Sequence, residues 1–479
     1  MERANDIEGS LVDQPGRLTT TFDNWSSLPP EVQELILAFL PLDQLFQVGL
    51  ICKNFLNVTK RRSFHQARAR LRPRECCLSP LVFYAERDTW HLRGFDYENR
   101  VWRKLPPFKS PIPALDPDEF NNFLVAGDKG LFCMNVGKAS EGEKLYVYNP
   151  LSGEAFELPA LELSRHPVVI SLRVTLAKKN DDMVASSFVV IVIGGVGIGT
   201  GSLSRKTDVY DSVKGRWEAG EDVPGAEFSL NDYQTGVYCE RSGLLLCVGF
   251  MVDGRKGILA FDVEKRKWRE DWICPFHDPV GDNAVMVHFA IAQLVECSGM
   301  IYLFSEQMVK TTVTHCIDRL ELDSGSEGFT WTRVLTRDIQ RNWGLRVYPE
   351  MQGNWALLVY QEYTCVPVGE DRLCIFNTIE KSGVVFDVTG NEGVASEPFG
   401  MVHPPDLGDG VMLRSLNPVG YAFEAGFARV IVEVEEGRAE CLQLGHEQAE
   451  QQSINLGDCS HGILRVFLHM LSSAYRKSI

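Results

Sequence analysis

The chain lacks paired cysteines. None of its 13 cysteines, scattered from Cys52 to Cys459, forms a C-x-x-C pair, and the count is odd. That argues against a disulfide framework and a zinc site, and fits a reduced cytoplasmic or nuclear setting in which most thiols act as small buried hydrophobes. Long apolar runs are missing too. The most apolar stretch, Val184 to Gly201, is broken by Ser186, Ser187 and several glycines, and reads as a strand ending in a loop, so no membrane span is expected. The opening MERANDIEGSLVDQ is acidic and has no apolar centre, unlike a secretory signal. Positive charge is scarce: 48 Lys/Arg face 64 Asp/Glu, a net charge of −16. A chain this acidic is a poor general binder of nucleic acid, and no nucleic-acid partner is expected. Catalytic signatures such as G-x-S-x-G and H-E-x-x-H do not occur.

What is present begins near the N-terminus with LPPEVQELILAFLPLDQLFQVGLICKNFLNV, Leu28 to Val58. Pro29 and Pro30 suit a first helical turn, where a missing N–H costs nothing. Val32, Leu35, Ile36 and Phe39 then recur at i, i+3, i+4 and i+7, the stripe of a helix that Pro41 stops. Leu37 and Leu40 lie off that stripe. Asp43 can cap a second helix with Leu45, Phe46 and Val48; Cys52, Phe55 and Leu56 open a third. That third helix runs into a basic segment, where residues 51–75 hold eight Lys/Arg against Glu75; this reads as a solvated helix face. Three short helices with more apolar surface than they can bury against each other need a partner.

These residues resemble the F-box, with its L-P start, its I-L-x-x-L-P segment and its L-x-x-x-x-x-I-C-K run. The resemblance covers about 45 residues. It implies that Leu28, Pro29, Pro30, Val32, Ile36, Leu37, Leu40, Pro41, Leu45, Ile51, Cys52 and Phe55 clamp a Skp-family adaptor. That adaptor would join the chain to a cullin and a RING subunit of an SCF-type ubiquitin ligase. Phe55 stands where many F-boxes have tryptophan.

From Leu78 onward the pattern changes to short β-branched or aromatic runs broken by Gly, Asp and Asn. GFDYENRVWRKLP, VYNPLSGEAFELP, VYDSVKGRWEAG and AFDVEKRKWRED share one plan: an aromatic strand end, a polar turn, then Trp or Phe opening the next strand. Phe95 and Trp102, Tyr210 and Trp217, and Phe261 and Trp268 have the same separation. Openings at Trp102, Phe156, Trp217, Trp268, Trp331 and Phe386 recur near the ~50-residue spacing of kelch-type blades. A hairpin that cannot bury its aromatic face alone must pack on its neighbours, with the opening aromatic wedged between blades. The expected fold is therefore mainly β: a three-helix segment, then a kelch-like β-propeller of six blades, then a C-terminal helix. The boundaries fall at 1–24 for a disordered N-terminus, 25–72 for the F-box, 76–440 for the propeller and 441–479 for a linker and the helix, Gly462–Arg476.

The glycines of SFVVIVIGGVGIGTGSLSRKTDVYD invite a nucleotide-binding reading. G-x-G-x-x-G fails in every register, TGSLSRKT lacks both phosphate-loop glycines, and no helix follows. Gly194 and Gly195 followed by Tyr210 and Trp217 resemble the kelch signature instead, and YNPLSGEAFELP resembles a hairpin of plant F-box-associated propellers. Together with the F-box segment this looks like the land-plant F-box/kelch family, which implies a non-catalytic substrate receptor presenting a protein target for ubiquitination. A non-ligase scaffold or transcriptional co-regulator is the alternative, and a propeller enzyme the third. His277 and His288 read as structural histidines, and neither a cofactor nor a metal is expected. Loops between second and third strands share one face with the blade-to-blade connections. Lys138, Arg205, Lys206, Arg255, Lys256, Lys310 and Arg372 are placed there, either as a ring of cations that would select an acidic or phosphorylated segment of the unknown substrate or, with Glu141, Asp253 and Glu370 interleaved, as a mixed solvated rim, the reading the sequence favours.

Overall fold

The computed structural model describes residues 28–40, 44–45, 53–59, 61, 63–64, 67–68, 77–86, 89–97, 99–105, 108–109, 125–135, 143–149, 155–179, 182–197, 202–224, 228–230, 234–252, 256–270, 274–276, 288–309, 312–322, 329–339, 363–369, 371–377, 382–389, 394–395, 414–416 and 423–424. They belong to two compact units, with a boundary between Leu71 and Arg72. The expected disordered N-terminus, the linker and the C-terminal helix lie outside the described residues.

In the small unit, α1 (Pro30–Ala38) starts at the two prolines, with Pro29 as its N-cap. A second helix, α2 (Lys53–Thr59), covers the third expected segment. Leu37, Ala38, Leu40, Phe55, Val58 and Phe64 are buried. So are Gln33 and Glu34, and each has a partner: Gln33 Nε2 donates to Leu28 O at 2.9 Å, and Arg61 Nη1 lies 3.2 Å from Glu34 Oε1. A buried polar group is tolerated only when bonded in this way.

The large unit is a six-bladed β-propeller made of six antiparallel sheets. Writing strands a to d from inside outward, blade 3 is Val169–Lys179, Asp182–Gly197, Leu203–Asp211 and Arg216–Ala219. Blade 4 holds Val237–Cys239, Leu244–Met251, Lys256–Asp262 and Lys267–Trp268. Blades 2, 5 and 6 each take four consecutive strands, within 125–157, 288–339 and 363–395. Blade 1 differs: its strands b to d are Cys77–Glu86, Thr89–Asp96 and Val101–Lys104, and its inner position is filled by Arg414–Leu416, from beyond the sixth blade. The ring is thereby closed by hydrogen bonds between the two ends of the repeat, which removes a free inner edge.

The repeated aromatic spacing is a cross-strand pair. Phe95 faces Trp102, Tyr210 faces Trp217 and Phe261 faces Trp268 across strands c and d, with ring centroids 5.4, 5.4 and 5.2 Å apart. Leu320 with Trp331 and Val147 with Phe156 take the same place in blades 5 and 2. The turn between these strands is built alike each time: Asp96, Asp211, Asp262 and Asp387 each accept a backbone N–H two or three residues on, an Asx turn.

Blade 6 corrects the sequence register. Phe386 lies on strand c (Ser382–Asp387), not at the opening of d, and Ala395 opposite it holds the tryptophan position. With alanine there, the signature that marks the other outer strands is erased.

The aromatics do wedge between blades. Trp217 packs on a core formed by blades 2 and 3, and its indole N–H donates to Pro159 O at 2.6 Å. Trp268 belongs to the core of blades 3 and 4 and donates to Glu221 O at 3.0 Å. Trp331 packs between blades 4 and 5, and Trp102 between blades 6 and 1. The diglycine of blade 3 answers to close backbone approach. Gly195 has φ +135°, and a Cβ there would stand 2.3 Å from His166 O, because the segment Arg165–His166 pairs with Val196 and Gly197.

Candidate functional site

The stripe seen in the sequence of α1 faces outward. Val32 is 38% exposed, Leu35 44% and Phe39 55%, while Ile36 is half-buried. Pro29 and Pro30 are exposed beside them, and Leu28 is half-exposed. Leu37, Leu40, Leu45 and Phe55, expected at the adaptor surface, are buried instead. Leu37 and Leu40 are inside because the helix turns its off-stripe side inward, and Phe55 is buried on α2. Pro41, Ile51 and Cys52 lie outside the described residues.

Sequence reasoning missed what holds this helix. Arg68, one of the basic run, is 2% exposed rather than solvated. Its Nη1 donates to Leu40 O at 2.8 Å and to Ala38 O at 3.4 Å. The last carbonyls of a helix have no partner within it, and a cation is favoured at that end. Composition alone suggests a charged face; only the buried carbonyls around it reveal the difference.

The cations expected on one propeller face do not form a ring among the described residues. Lys206 pairs with Asp222 at 3.1 Å, and Arg205 donates to Val223 O. Lys256 is buried, its Nζ 4.8 Å from the centre of the Phe250 ring. Arg372 was placed with the wrong loop. It opens strand b of blade 6 (Arg372–Asn377), after the turn from strand a, so it lies at the opposite end, its guanidinium 4.7 Å from the centre of the Tyr97 ring. The stretch 361–372 contains strand a (Tyr363–Pro367), whereas the loop between strands b and c of that blade is 378–381. Lys138, Arg255 and Lys310 lie outside the described residues.

Titratable groups inside the propeller are bonded or quenched. His315 is fully buried, its Nε2 3.0 Å from Glu306 Oε2 and its ring against Phe304 and Tyr363. Burial pushes the Cys247 thiol up to about 12 and Cys297 and Cys316 to about 11, far from the thiolate that nucleophilic chemistry requires. No group of three or more His, Cys, Asp or Glu that could hold a metal occurs among the described residues. His277 lies outside them, and His288 begins strand a of blade 5.

Comparison with known proteins bears on the small unit. Residues 25–67 match the F-box domain model. Protein UNUSUAL FLORAL ORGANS from Arabidopsis thaliana is 24% identical over 163 residues, which are 32% of this chain and 36% of that protein, so the chain spans about a third of that relative's length. A nidogen/laminin complex structure matches 72% of this chain and 99% of its own at 10% identity and TM-score 0.38. A Lactobacillus plantarum protein structure matches 71% and 100% at 9% identity and TM-score 0.36. The outward stripe and buried polar tethers thus belong to an F-box domain, carried on a chain whose other unit is a six-bladed β-propeller.

Proposed function

We propose that this chain is a substrate receptor of an SCF-type ubiquitin ligase, its F-box held by a Skp-family adaptor and its propeller by a protein target. The observation that carries the reading is the outward apolar stripe of α1, since Val32, Leu35 and Phe39 are exposed together at i, i+3 and i+7 along one short helix, and a grouped apolar face of that kind marks a contact surface. Through the adaptor the chain would reach a cullin and a RING subunit. Its contribution to transfer would be proximity, holding a target lysine near a loaded thioester with no catalytic residue of its own.

The propeller is read as kelch-like, on Gly194, Gly195, Tyr210 and Trp217 in blade 3. The substrate face is taken to be the end carrying the loops between strands b and c. Buried thiols fit the cytoplasm or nucleus. The experiment is reconstitution. The purified chain is mixed with a recombinant Skp-type adaptor, cullin and RING subunit, and complex formation is followed by size-exclusion chromatography. Co-elution that Leu35→Asp abolishes supports the reading; a chain that elutes alone at micromolar concentrations refutes it.

A further inference from the structure

We infer that Arg68 is a positioning residue for adaptor binding, acting through Phe39, and that Phe39 is the anchor of that surface. The inference rests on the proposed adaptor role. Phe39 ends α1 as its C-cap with φ −79° and ψ −16°, and at 55% it is the most exposed large apolar residue of the helix. Its neighbours on either side are Ala38 and Leu40, the two residues whose carbonyls Arg68 Nη1 holds at 3.4 and 2.8 Å. One guanidinium thus fixes the backbone before and after the exposed ring.

Among the described residues, no side chain of α1 itself is placed to do this job. The last turn of α1 has no basic residue, and the C-cap is not a glycine. The tether comes from a residue 28 positions beyond Leu40, so the helix end and the basic segment are locked as one piece. An anchor delivers affinity only when its order is already present before binding. Lysine at 68 would keep the charge near the helix end, but as a point charge it lacks the planar fork of arginine.

The test is a double-mutant cycle on the full chain, with a recombinant Skp-type adaptor titrated by calorimetry. Arg68→Lys is expected to weaken binding about tenfold, and to change it less than about threefold once Phe39→Ala is present. Arg61→Lys, which makes the same arginine-to-lysine change beside Glu34 while keeping its cation and leaving both carbonyls held, serves as the structural control and is expected to leave affinity within about threefold. If Arg68→Lys binds like the unaltered chain, or its effect adds to that of Phe39→Ala, the inference fails while the adaptor role stands. Loss of helical circular dichroism in Arg68→Lys also overturns it, because Arg68 is then a folding residue only. Absence of binding by the unaltered chain overturns the adaptor role, and this inference with it.

Discussion

The helix α1 and the propeller blades sort their side chains in opposite ways. In α1, Gln33 and Glu34 are inside, with Arg68 capping the end, and Val32, Leu35 and Phe39 are outside. In blades 3 and 4, Val169, Ile191, Leu245, Leu259 and Phe261 fill a dry core, while Lys214, Arg216 and Lys265 ring the turns. In α1 the buried polar groups Gln33 and Glu34 are bonded, whereas blades 3 and 4 bury Tyr210 OH and Ser242 Oγ without a hydrogen-bond partner. The two regions differ in where the grouped apolar positions go: the blades bury theirs between one another, and the helix leaves Val32, Leu35 and Phe39 exposed. An apolar stripe therefore reports a contact without saying whether the partner is inside the chain.

Breaking the propeller side of this contrast should have the largest effect. Trp268→Ala is expected to destabilise the protein by ~3–5 kcal/mol in denaturant unfolding, the range for truncating a buried aromatic. Trp268 is 6% exposed and donates to both Thr207 Oγ1 and Glu221 O. Trp217, half-buried, should lose clearly less on the same change, about 1–3 kcal/mol. Equal losses would mean that exposure does not rank these wedges.

The helix side is tested by neighbours two positions apart. Leu37→Ala should destabilise the small unit by ~2–4 kcal/mol, since Leu37 is fully buried. Leu35→Ala should leave the unfolding midpoint within about 0.5 kcal/mol, as an exposed substitution does, and weaken adaptor binding instead. A stability loss at Leu35 as large as at Leu37 would place the stripe inside. Next in size is Gly195→Ala, expected to cost ~1–3 kcal/mol by forcing a side chain into a strained φ against His166 O. Unchanged unfolding would show that Arg165–His166 can move away.

Much of this was legible because the relevant contacts are local. The equal spacing of Phe95–Trp102, Tyr210–Trp217 and Phe261–Trp268 is set by one Asx turn, and a turn leaves its mark in adjacent residues. Blade 6 was misread because Ala395 carries no such mark. Closure by Arg414–Leu416 was invisible because three residues cannot display a period of two. The apolar stripe of α1 was legible but not its side: Leu37 and Leu40 are as apolar as Leu35 and Val32. The partner of Gln33 nearby and the long-range partners of Glu34 and Arg68 show which set is inside. Arg372 was misplaced for a related reason, since its aromatic partner Tyr97 is distant in sequence, and Lys256 found Phe250 across a hairpin.

The smallest effect sharpens the contrast at the rim. Glu218 on strand d of blade 3 accepts hydrogen bonds from Lys214, in the turn before it, and from Arg266, in the corresponding turn of blade 4. These cations hold its carboxyl down at about 2, below the ordinary 4.5. The folded protein therefore binds this proton more weakly than the unfolded chain does. Its stabilisation is fully present above about pH 4.5 and fades as pH falls toward 2. Because the pair lies at the solvated rim, the effect should be under ~1 kcal/mol. The measurement is the difference in denaturant unfolding between the unaltered chain and Glu218→Gln from pH 7 to pH 3, which cancels the other carboxylates. That difference should shrink on acidification and be smaller in high salt. A difference that grows as pH falls would mean that Glu218 is not held by these cations.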